Sequence, residues 1–565
     1  MLTPALLSLV AALGAGPAHA AETPEDLEFT LDGYYRMRGN VFGSMFAGQQ
    51  EAGKYMTQRL RLQPTISFQD RAKVVMMADV MDDVVWGDNM SMMPTSVFAQ
   101  DPSYNGSDGG TADWLGRSRD QVTVKRAWME FKIPVGLMRV GRQESNWGMG
   151  ILSNNGNGFD DTFGENHYGS TFDRIIFATR PVAIAQSIAG KDDSNFPFFI
   201  AVGVDRLVED PLNLYYGYSC AKEDGNGDYI TEDSDEYDAR CDEIDINTGQ
   251  AGSDGIHDLE HDYVEEGRTP DQRPQDWWVD NDDDAWELVM VAIYKGEDLS
   301  WGKSMADFTL GAYGIIRTHD STNSKIYIAD VYTKLQFKGL YFETEVLNIR
   351  GKTDGIALRG AYDPNSKQAN PLHKEADIWG YATRLGYQQR SYTLMMEHGF
   401  ASGDENPSDE NFTARAMHPD FNVGLLLFEE VMARVSSQTW SEDAFALWTN
   451  GGVWNAYYAF PNVRYRPLDN WELIAGFVMA WPHKPDGSRI LCAAGETGCT
   501  SPTKDLEKHL GWELDMAVKH RFHEHVLFSL EGGYAKTSNR VPVENVGLNP
   551  DGKFWTFQSR VAYEF

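Results

Sequence analysis

The chain has 565 residues, and its 84 acidic residues outnumber its 49 lysines and arginines, giving a formal net charge of -35. This balance argues against nucleic-acid binding, which needs a basic surface. The mean hydropathy of -0.44 argues against long apolar spanning helices, but it does not exclude a β-barrel, whose strands alternate apolar and polar residues.

The N-terminal stretch MLTPALLSLVAALGAGPAHA (1–20) has the pattern of a secretory signal peptide. A short apolar run from Leu6 to Ala15 precedes Ala18-His19-Ala20, a small-x-small cleavage site. No Lys or Arg precedes the run, which departs from the usual pattern, and a buried apolar helix is the alternative interpretation. Residues 21–565 are predicted to form one exported domain.

From residue 27 onward, segments of about ten to fifteen residues alternate apolar and polar side chains. In the first, Leu27, Phe29 and Leu31 fall on one face, and Arg36 and Arg38 fall on the other. A period of two predicts a strand with one apolar and one polar face. There are eighteen such segments, at roughly 27–42, 55–69, 71–86, 120–132, 136–147, 171–180, 196–208, 285–295, 305–318, 325–338, 339–350, 376–388, 390–401, 453–467, 470–482, 508–522, 524–537 and 553–565.

Short and long connections alternate along these segments. Tight turns such as Lys338-Gly339 and His523-Glu524 separate some pairs, and long polar stretches such as 209–284 separate others. This order predicts an all-β, transmembrane antiparallel β-barrel of about 18 strands, with short periplasmic turns and long extracellular loops. A soluble β-sandwich or propeller is the alternative. Such a barrel is expected in the lipid of the bacterial outer membrane. Phe565, an aromatic residue at the end of the last alternating segment, resembles the recognition signal for the barrel assembly machinery, and an ordinary terminal strand is the alternative.

One stretch, FNVGLLLFEEVMARV from Phe421 to Val435, breaks the alternation. Its apolar spacing predicts a short helix within a loop that folds into the barrel mouth. An additional pair of strands is the competing interpretation.

The 209–284 stretch carries about 25 acidic residues and four basic ones, a composition usual for a solvated loop. Within it, five oxygen-bearing side chains have the spacing of a calcium-binding loop, namely Asp224, Asn226, Asp228, Glu232 and Asp235. The possible cofactor is Ca²⁺, and an unliganded acidic loop is the alternative. The chain has four cysteines, and an exported protein favours two local disulfides among them, formed by Cys220, Cys241, Cys492 and Cys499.

Basic side chains recur on the polar faces of the predicted strands. Because charges are costly on the lipid face, these side chains are predicted to line the pore, and guanidinium groups there would attract anionic solutes or acidic polysaccharide. A plugged lumen is the alternative, in which the arginines pair with Glu343, Glu345, Glu513 and Asp515. The predicted pore-lining residues are Arg36, Arg38, Arg59, Arg61, Arg126, Arg139, Arg142, Arg174, Arg384, Arg464, Arg466, Lys519 and Arg521.

Sequence motifs for catalysis are absent: the chain has no phosphate-binding loop, no GxSxG motif and no HExxH motif. His520, His523 and His525 cluster at a predicted turn, where a solvated turn and a metal site are the two interpretations. The protein is therefore predicted not to be an enzyme, although an outer-membrane hydrolase could assemble a Ser/His/Asp set from separate strands.

Four stretches of the sequence resemble an uncharacterised family of Gram-negative outer-membrane barrel proteins: 57–88 (TQRLRLQPTISFQDRAKVVMMADVMDDVVWGD), 124–161 (VKRAWMEFKIPVGLMRVGRQESNWGMGILSNNGNGFDD), 401–412 (ASGDENPSDENF) and 418–431 (HPDFNVGLLLFEEV). The GRQ strand end and the SGDEN loop are also distantly similar to alginate-export-type porins. The resemblance implies an eighteen-strand barrel and an arginine-lined route for an acidic polymer. The long acidic loop at 209–284 departs from that pattern.

The stretch RVGRQESNWGMG (139–150) contains two arginines that strict alternation places on opposite faces. A bulge at Gly141 would turn both toward the lumen; without a bulge, Arg142 is expected to reach the polar rim. Trp147 is predicted to lie in the outer aromatic girdle.

These features support two functional hypotheses. The first is a porin-like or exporter-like channel with an arginine-lined lumen. The second is a non-conducting surface barrel that displays the acidic loop for adhesion or binding.

Overall fold

The computed structural model describes residues 27–49, 52–69, 71–87, 122–159, 162–166, 169–190, 196–207, 285–301, 304–319, 324–353, 374–405, 410–437, 449–485, 506–544 and 546–565. The predicted signal peptide, the predicted calcium-binding loop and all four cysteines lie outside these residues. The signal peptide, the calcium site and the disulfides therefore remain predictions from the sequence.

The described residues form nineteen strands, of which eighteen build a barrel. The strands are β1 Leu27–Gly43, β2 Gly53–Phe68, β3 Ala72–Val85, β4 Val122–Ile133, β5 Gly136–Ser145, β6 Ser170–Thr179, β7 Phe198–Leu207, β8 Trp286–Trp301, β9 Ser304–His319, β10 Ser324–Phe337, β11 Leu340–Thr353, β12 Lys374–Gln388, β13 Tyr392–Ala401, β14 Asn411–Phe412, β15 Ala456–Leu468, β16 Trp471–Pro482, β17 Gly511–Phe522, β18 Val526–Thr537 and β19 Lys553–Glu564.

Each barrel strand pairs antiparallel with its sequence neighbours, and β1 pairs with β19 to close the cylinder. The two-residue β14 lies apart, parallel to the end of β12, so that β13 pairs directly with β15. At the seam, the terminal Phe565 exchanges main-chain hydrogen bonds with Gly33, both 3.0 Å long. The eighteen-strand antiparallel barrel predicted from the alternation is confirmed.

The two ends of the barrel differ in their connections. One end, here called the short-turn end, carries tight turns such as 338–339 and 523–525; the other, here called the loop end, carries the long stretches. Two connections depart from this order: 320–323 at the loop end is short, and 180–197 at the short-turn end contains helix α1, Pro181–Ile188. In the described part of the chain, no helix has the length and apolar character to span a membrane.

Apolar side chains cover the outer face of the barrel. Val331, Leu385, Met516 and Phe557 are examples of large apolar residues that are exposed on strands whose alternate residues are buried. Such a surface is unfavourable in water and favourable against lipid, and barrel closure leaves no unpaired edge in the hydrocarbon. The chain is therefore a transmembrane β-barrel of the bacterial outer membrane.

Two segments fold into the barrel instead of extending from it. The first inserted segment comprises residues 146–159 and 162–166, and the second comprises residues 413–437. Apolar residues of both segments, among them Ile151, Phe163, Val423 and Phe428, are buried in one cluster with inward-facing strand residues. The second segment contains the predicted helix, as a π-helix over Leu427–Met432 followed by α2, Ala433–Ser437.

Candidate functional site: the barrel lumen

The lumen is hydrated at the short-turn end and filled at the loop end. On the inward face of β1, Glu28, Thr30 and Asp32 at the short-turn end are exposed, whereas Asn40 and Phe42 at the loop end are buried. The inward faces of β12 and β15 show the same gradient. In the described residues, the inserted segments therefore close the loop half of the lumen and leave the other half open to water.

Glu513, on the inward face of β17, fastens the second inserted segment to the wall. Its Oε1 accepts the main-chain N–H groups of Leu425 and Leu426 at 2.6 and 2.7 Å, and its Oε2 accepts that of Leu427 at 2.6 Å. These amides lie at the N-terminal end of the π-helix, where main-chain N–H groups have no partner within the helix, so a carboxylate is a suitable acceptor. Gly424 permits this close approach because it has a φ of +83°, and a Cβ there would lie 2.9 Å from the Glu513 carboxyl.

Glu345, on β11, fastens the first inserted segment in the same way. Its carboxylate accepts the main-chain N–H groups of Met149 and Gly150, the latter at 3.0 Å. Nearby, the indole N–H of Trp147 donates to Asp330 at 2.7 Å, and its ring stacks on Tyr313 with the centroids 5.1 Å apart. Trp147 is buried in the lumen, so its predicted place in the outer aromatic girdle is wrong: the chain turns inward directly after β5.

The predicted pore-lining arginines of β1 and β2 face inward and are ion-paired. Asp83, on β3, accepts from Arg36 at 3.0 Å and from Arg59 at 2.7 Å. Arg61 donates to both oxygens of Asp79 at 2.7 and 2.8 Å. Carboxylates on β3 therefore pair with the guanidinium groups of Arg36, Arg59 and Arg61 within the lumen.

Most of the remaining predicted arginines near the middle of the barrel also have carboxylate partners. Arg126 pairs with Glu144 at 2.5 Å, Arg139 with Glu130 at 2.7 Å, Arg174 with Asp205 at 2.6 Å, and Arg384 with Glu397 at 2.5 Å. Of the four carboxylates that the plugged alternative assigned to arginines, Glu343 lies 3.9 Å from Arg384, whereas Glu345 and Glu513 bind main-chain amides and Asp515 lies beside Glu513.

Four predicted basic residues lie in the lumen on β15 and β17, toward the hydrated end. Arg464 and Arg466 face Glu472 at 3.8 and 2.7 Å, and Arg521 faces Glu564 at 2.9 Å. The Lys519 ammonium lies 3.5 Å from the carbonyl oxygen of Phe159 on the first inserted segment. This part of the wall carries four cationic side chains, and Glu472 and Glu564 pair with the three arginines among them.

Arg142 does not line the lumen. The register of β5 is unbroken against both β4 and β6, so there is no bulge at Gly141, although its φ of +123° is one that favours glycine. Arg142 points outward and donates to both oxygens of Asp173 at 2.9 Å. This pair lies at the loop end of β5 and β6, which is the rim position expected in the absence of a bulge.

Two further residues of the site, Glu165 and Arg560, were not among the predicted pore-lining residues. Arg560 follows the alternation of the last strand as clearly as Arg36 follows that of the first, so its inward position could have been predicted. Glu165 lies on the first inserted segment, which has no period, so no sequence signal places it. The two carry opposite charges, and Glu165 Oε2 lies 2.7 Å from Arg560 Nε.

Ser170, His418 and Asp420 come together where the two inserted segments meet, but their geometry is not that of a hydrolase. Ser170 Oγ lies 3.0 Å from His418 Nε2, and Nδ1 accepts the main-chain N–H of Asp420 at 3.1 Å. A neutral ring therefore carries its proton on Nε2. A Ser–His–Asp triad needs the other tautomer, with Nε2 free to accept the serine proton. The Asp420 carboxylate instead accepts the Gly169 N–H at 2.7 Å, so the trio fastens the second inserted segment to the start of β6.

Acidification is expected to loosen this junction. Burial lowers the pKa of His418 from its ordinary value of 6.5 to about 4, so between these values the unfolded chain binds a proton that the folded protein excludes. Folded-state stability is therefore full above about pH 6.5 and falls as the pH drops toward 4, by on the order of 3 kcal/mol. Thermal unfolding of wild type and His418→Gln across this range checks the prediction, because the variant should lose that part of the pH dependence. Parallel pH profiles for the two proteins would contradict it.

The histidines of the turn after β17 do not form a metal site. His520 packs against Trp471 with the ring centroids 4.2 Å apart and the planes tilted by 33°, and His525 Nδ1 lies 2.9 Å from the Glu564 carbonyl oxygen. Across the described part of the chain, no group of three His, Cys, Asp or Glu side chains has an arrangement that could hold a metal ion.

No protein-family model matches the chain, and no curated protein is similar to it. Solved structures with a similar course of the chain include OccK2 (OpdF) of Pseudomonas aeruginosa in complex with glucuronate (TM-score 0.42, 9% identity, 95% of this chain and 98% of that chain). Another is OpdK of the same organism, with a TM-score of 0.43 and 8% identity over 95% of this chain and 98% of that chain. A third is a BenF-like porin of Pseudomonas fluorescens Pf-5, with a TM-score of 0.44 and 9% identity over 95% of this chain and 98% of that chain. These TM-scores are too low to infer a function from the solved structures. The similarity to alginate-export-type porins stays a prediction from the sequence.

Proposed function

We propose that the protein is an outer-membrane channel for small anionic solutes that its two inserted segments hold closed. The observation that carries this proposal is the lumen itself, which is hydrated over the short-turn half and closed over the loop half. A barrel that served only as a scaffold would have no need of a hydrated half-lumen. An acidic polysaccharide could pass only if both inserted segments left the lumen.

The hydrogen bonds of the inserted segments support a removable closure. Glu513 and Glu345 hold main-chain amides of the segments through carboxylate oxygens, and such bonds can be exchanged for bonds to water in a hydrated lumen. Apolar burial adds stability to the closed state. The closed state therefore rests on reversible contacts with the wall.

The preference for anions is assigned to the hydrated half of the lumen. Arginines near the middle of the barrel are mostly neutralised by carboxylates, so they add little long-range attraction. Arg464, Arg466, Lys519 and Arg521 bring four cationic side chains to this part of the wall on β15 and β17. Charged side chains on a pore wall select ions by sign.

Current measurements in planar bilayers test the proposal. The wild-type barrel is expected to show brief openings and to favour chloride over potassium in a salt gradient. The Arg464→Gln/Arg466→Gln variant should lose most of that preference, because two of the four cationic groups are removed. Arg390→Gln is the matched control, since Arg390 pairs with Asp469 on an exposed turn at the same end of the barrel. A selectivity that stays equal in all three proteins would contradict the assignment.

The alternative function, a non-conducting barrel that displays the acidic 209–284 loop, depends on residues outside the described part of the chain and stays a prediction. The same recordings separate the two functions. A purified barrel that never conducts, even after the second inserted segment is unfastened, would favour display.

A further inference from the structure

The carboxylate of Glu165 lies among three guanidinium groups of the luminal wall. Its Oε1 lies 2.8 Å from Arg36 Nη2 and 3.7 Å from Arg38 Nη1, and its Oε2 lies 2.7 Å from Arg560 Nε. Glu165 and Arg560 are each 3% exposed, and Arg36 is fully buried. The arginines belong to β1 and β19, the strands whose pairing closes the barrel. A carboxyl group carried by an inserted segment thus occupies a site that the wall itself provides.

The carboxylate of Glu165 is shared by the guanidinium groups of Arg36, Arg38 and Arg560. Withdrawal of Glu165 would remove one negative charge from contact with these three buried or partly buried groups. Burying an uncompensated charge is strongly unfavourable, so the vacated site would attract one monovalent anion.

We propose that the Arg36–Arg38–Arg560 cluster is a binding site for the carboxylate of a small monocarboxylate solute, and that Glu165 occupies it as an internal stand-in. This inference rests on the proposed channel function and names the class of solute. Solute and Glu165 then compete for the same guanidinium groups, and solute binding favours release of the first inserted segment.

The geometry of the cluster favours a carboxylate over other anions. Arg36 contacts one oxygen of Glu165 and Arg560 contacts the other, an arrangement that suits a planar group with two equivalent oxygens. A halide offers a single centre, and a phosphate dianion would bring more negative charge than the site lacks. The surrounding charge and the two-point contact together select a monoanionic carboxylate.

Main-chain groups next to the Glu165 side chain also make polar contacts. The Gly164 N–H donates to the Glu531 carboxylate at 2.8 Å, and the Gly164 carbonyl oxygen accepts from Arg560 at 2.7 Å. The Asn422 side chain donates to the Glu165 carbonyl oxygen at 3.3 Å. Because Arg560 takes part in both the ion pair and the main-chain contact, a solute that binds Arg560 weakens the attachment of the segment at two points.

Thermal unfolding of the full chain in detergent tests the site. Glu165→Ala is expected to unfold at a lower temperature than wild type, because it removes the carboxylate that pairs with three guanidinium groups and leaves a space the size of a carboxyl group. Acetate should restore stability: at roughly ten times its dissociation constant, it should lower the unfolding equilibrium constant about elevenfold. Acetamide has the same shape without the charge and should have no such effect, and sodium chloride at equal ionic strength controls for screening.

Removal of the site should abolish the rescue. The double variants Glu165→Ala/Arg560→Gln and Glu165→Ala/Arg38→Gln are expected to gain little from acetate; Arg38 is the more exposed position and serves if the Arg560 variant does not fold. Equal stabilisation by acetate and acetamide, or full rescue of the double variants, overturns the inference. Current recordings in parallel separate the two proposals: acetate rescue without any conductance contradicts the channel function and leaves the binding site standing.

Discussion

Replacing Glu513 with alanine is expected to release the second inserted segment and to raise the steady conductance of the barrel. The change leaves three buried main-chain N–H groups, those of Leu425, Leu426 and Leu427, without their acceptor. Each such loss costs about 1–3 kcal/mol, so the closed arrangement should lose roughly 3 kcal/mol or more. The strands keep their own hydrogen bonds, and the barrel should therefore remain folded.

The expected result is a longer open time in planar bilayers together with faster proteolysis within residues 413–437. Glu513→Gln keeps one acceptor oxygen and should give an intermediate effect. Glu375→Ala is the control, because Glu375 lies on the exposed face of β12, where it pairs with Lys352 at 3.3 Å. If Glu513→Ala keeps wild-type conductance and protease resistance, the inserted segment is not fastened in the way described.

The strands could be predicted from the sequence because two solvents impose a period of two on them. Lipid outside and a polar lumen inside select alternate residues along each strand, and all eighteen predicted segments became barrel strands. The same logic separated Arg36, which faces inward, from Leu31, which faces the lipid. The non-alternating stretch from Phe421 to Val435 was also predictable as a short helix, because its apolar residues have helical spacing.

The interior of the lumen could not be predicted in the same way. Alternation gives the face on which Arg61 or Arg174 lies, but it does not give the partner, since Asp79 and Asp205 are fixed by strand register. The first inserted segment has no period at all, so neither the burial of Trp147 nor the position of Glu165 follows from sequence. The sequence pattern suggested a positively charged lumen. Strand register instead places carboxylates opposite many of these arginines and largely neutralises their charge.

Loss of a luminal ion pair is expected to affect the stability of the barrel far more than its selectivity. Arg174 and Asp205 form two hydrogen bonds of 2.7 and 2.6 Å and are buried between β6 and β7. Arg174→Met leaves the Asp205 carboxylate buried without its partner, which should cost about 3–5 kcal/mol. Arg174→Met/Asp205→Leu should recover most of that loss, because an apolar pair replaces the ion pair. Urea unfolding from lipid vesicles, followed by tryptophan fluorescence, measures both changes.

The adjacent pair on the opposite face provides the control. Arg142 and Asp173 also form two hydrogen bonds, both 2.9 Å long, but their side chains are 41% and 49% exposed. Arg142→Met should therefore cost less than about 1 kcal/mol. Equal losses for Arg142→Met and Arg174→Met would show that burial does not decide the strength of these pairs. The double change Arg174→Met/Asp205→Leu removes one charge of each sign and leaves the net charge of the wall unaltered. A shift of ion selectivity in this variant would therefore show that the pair acts on the permeating ion.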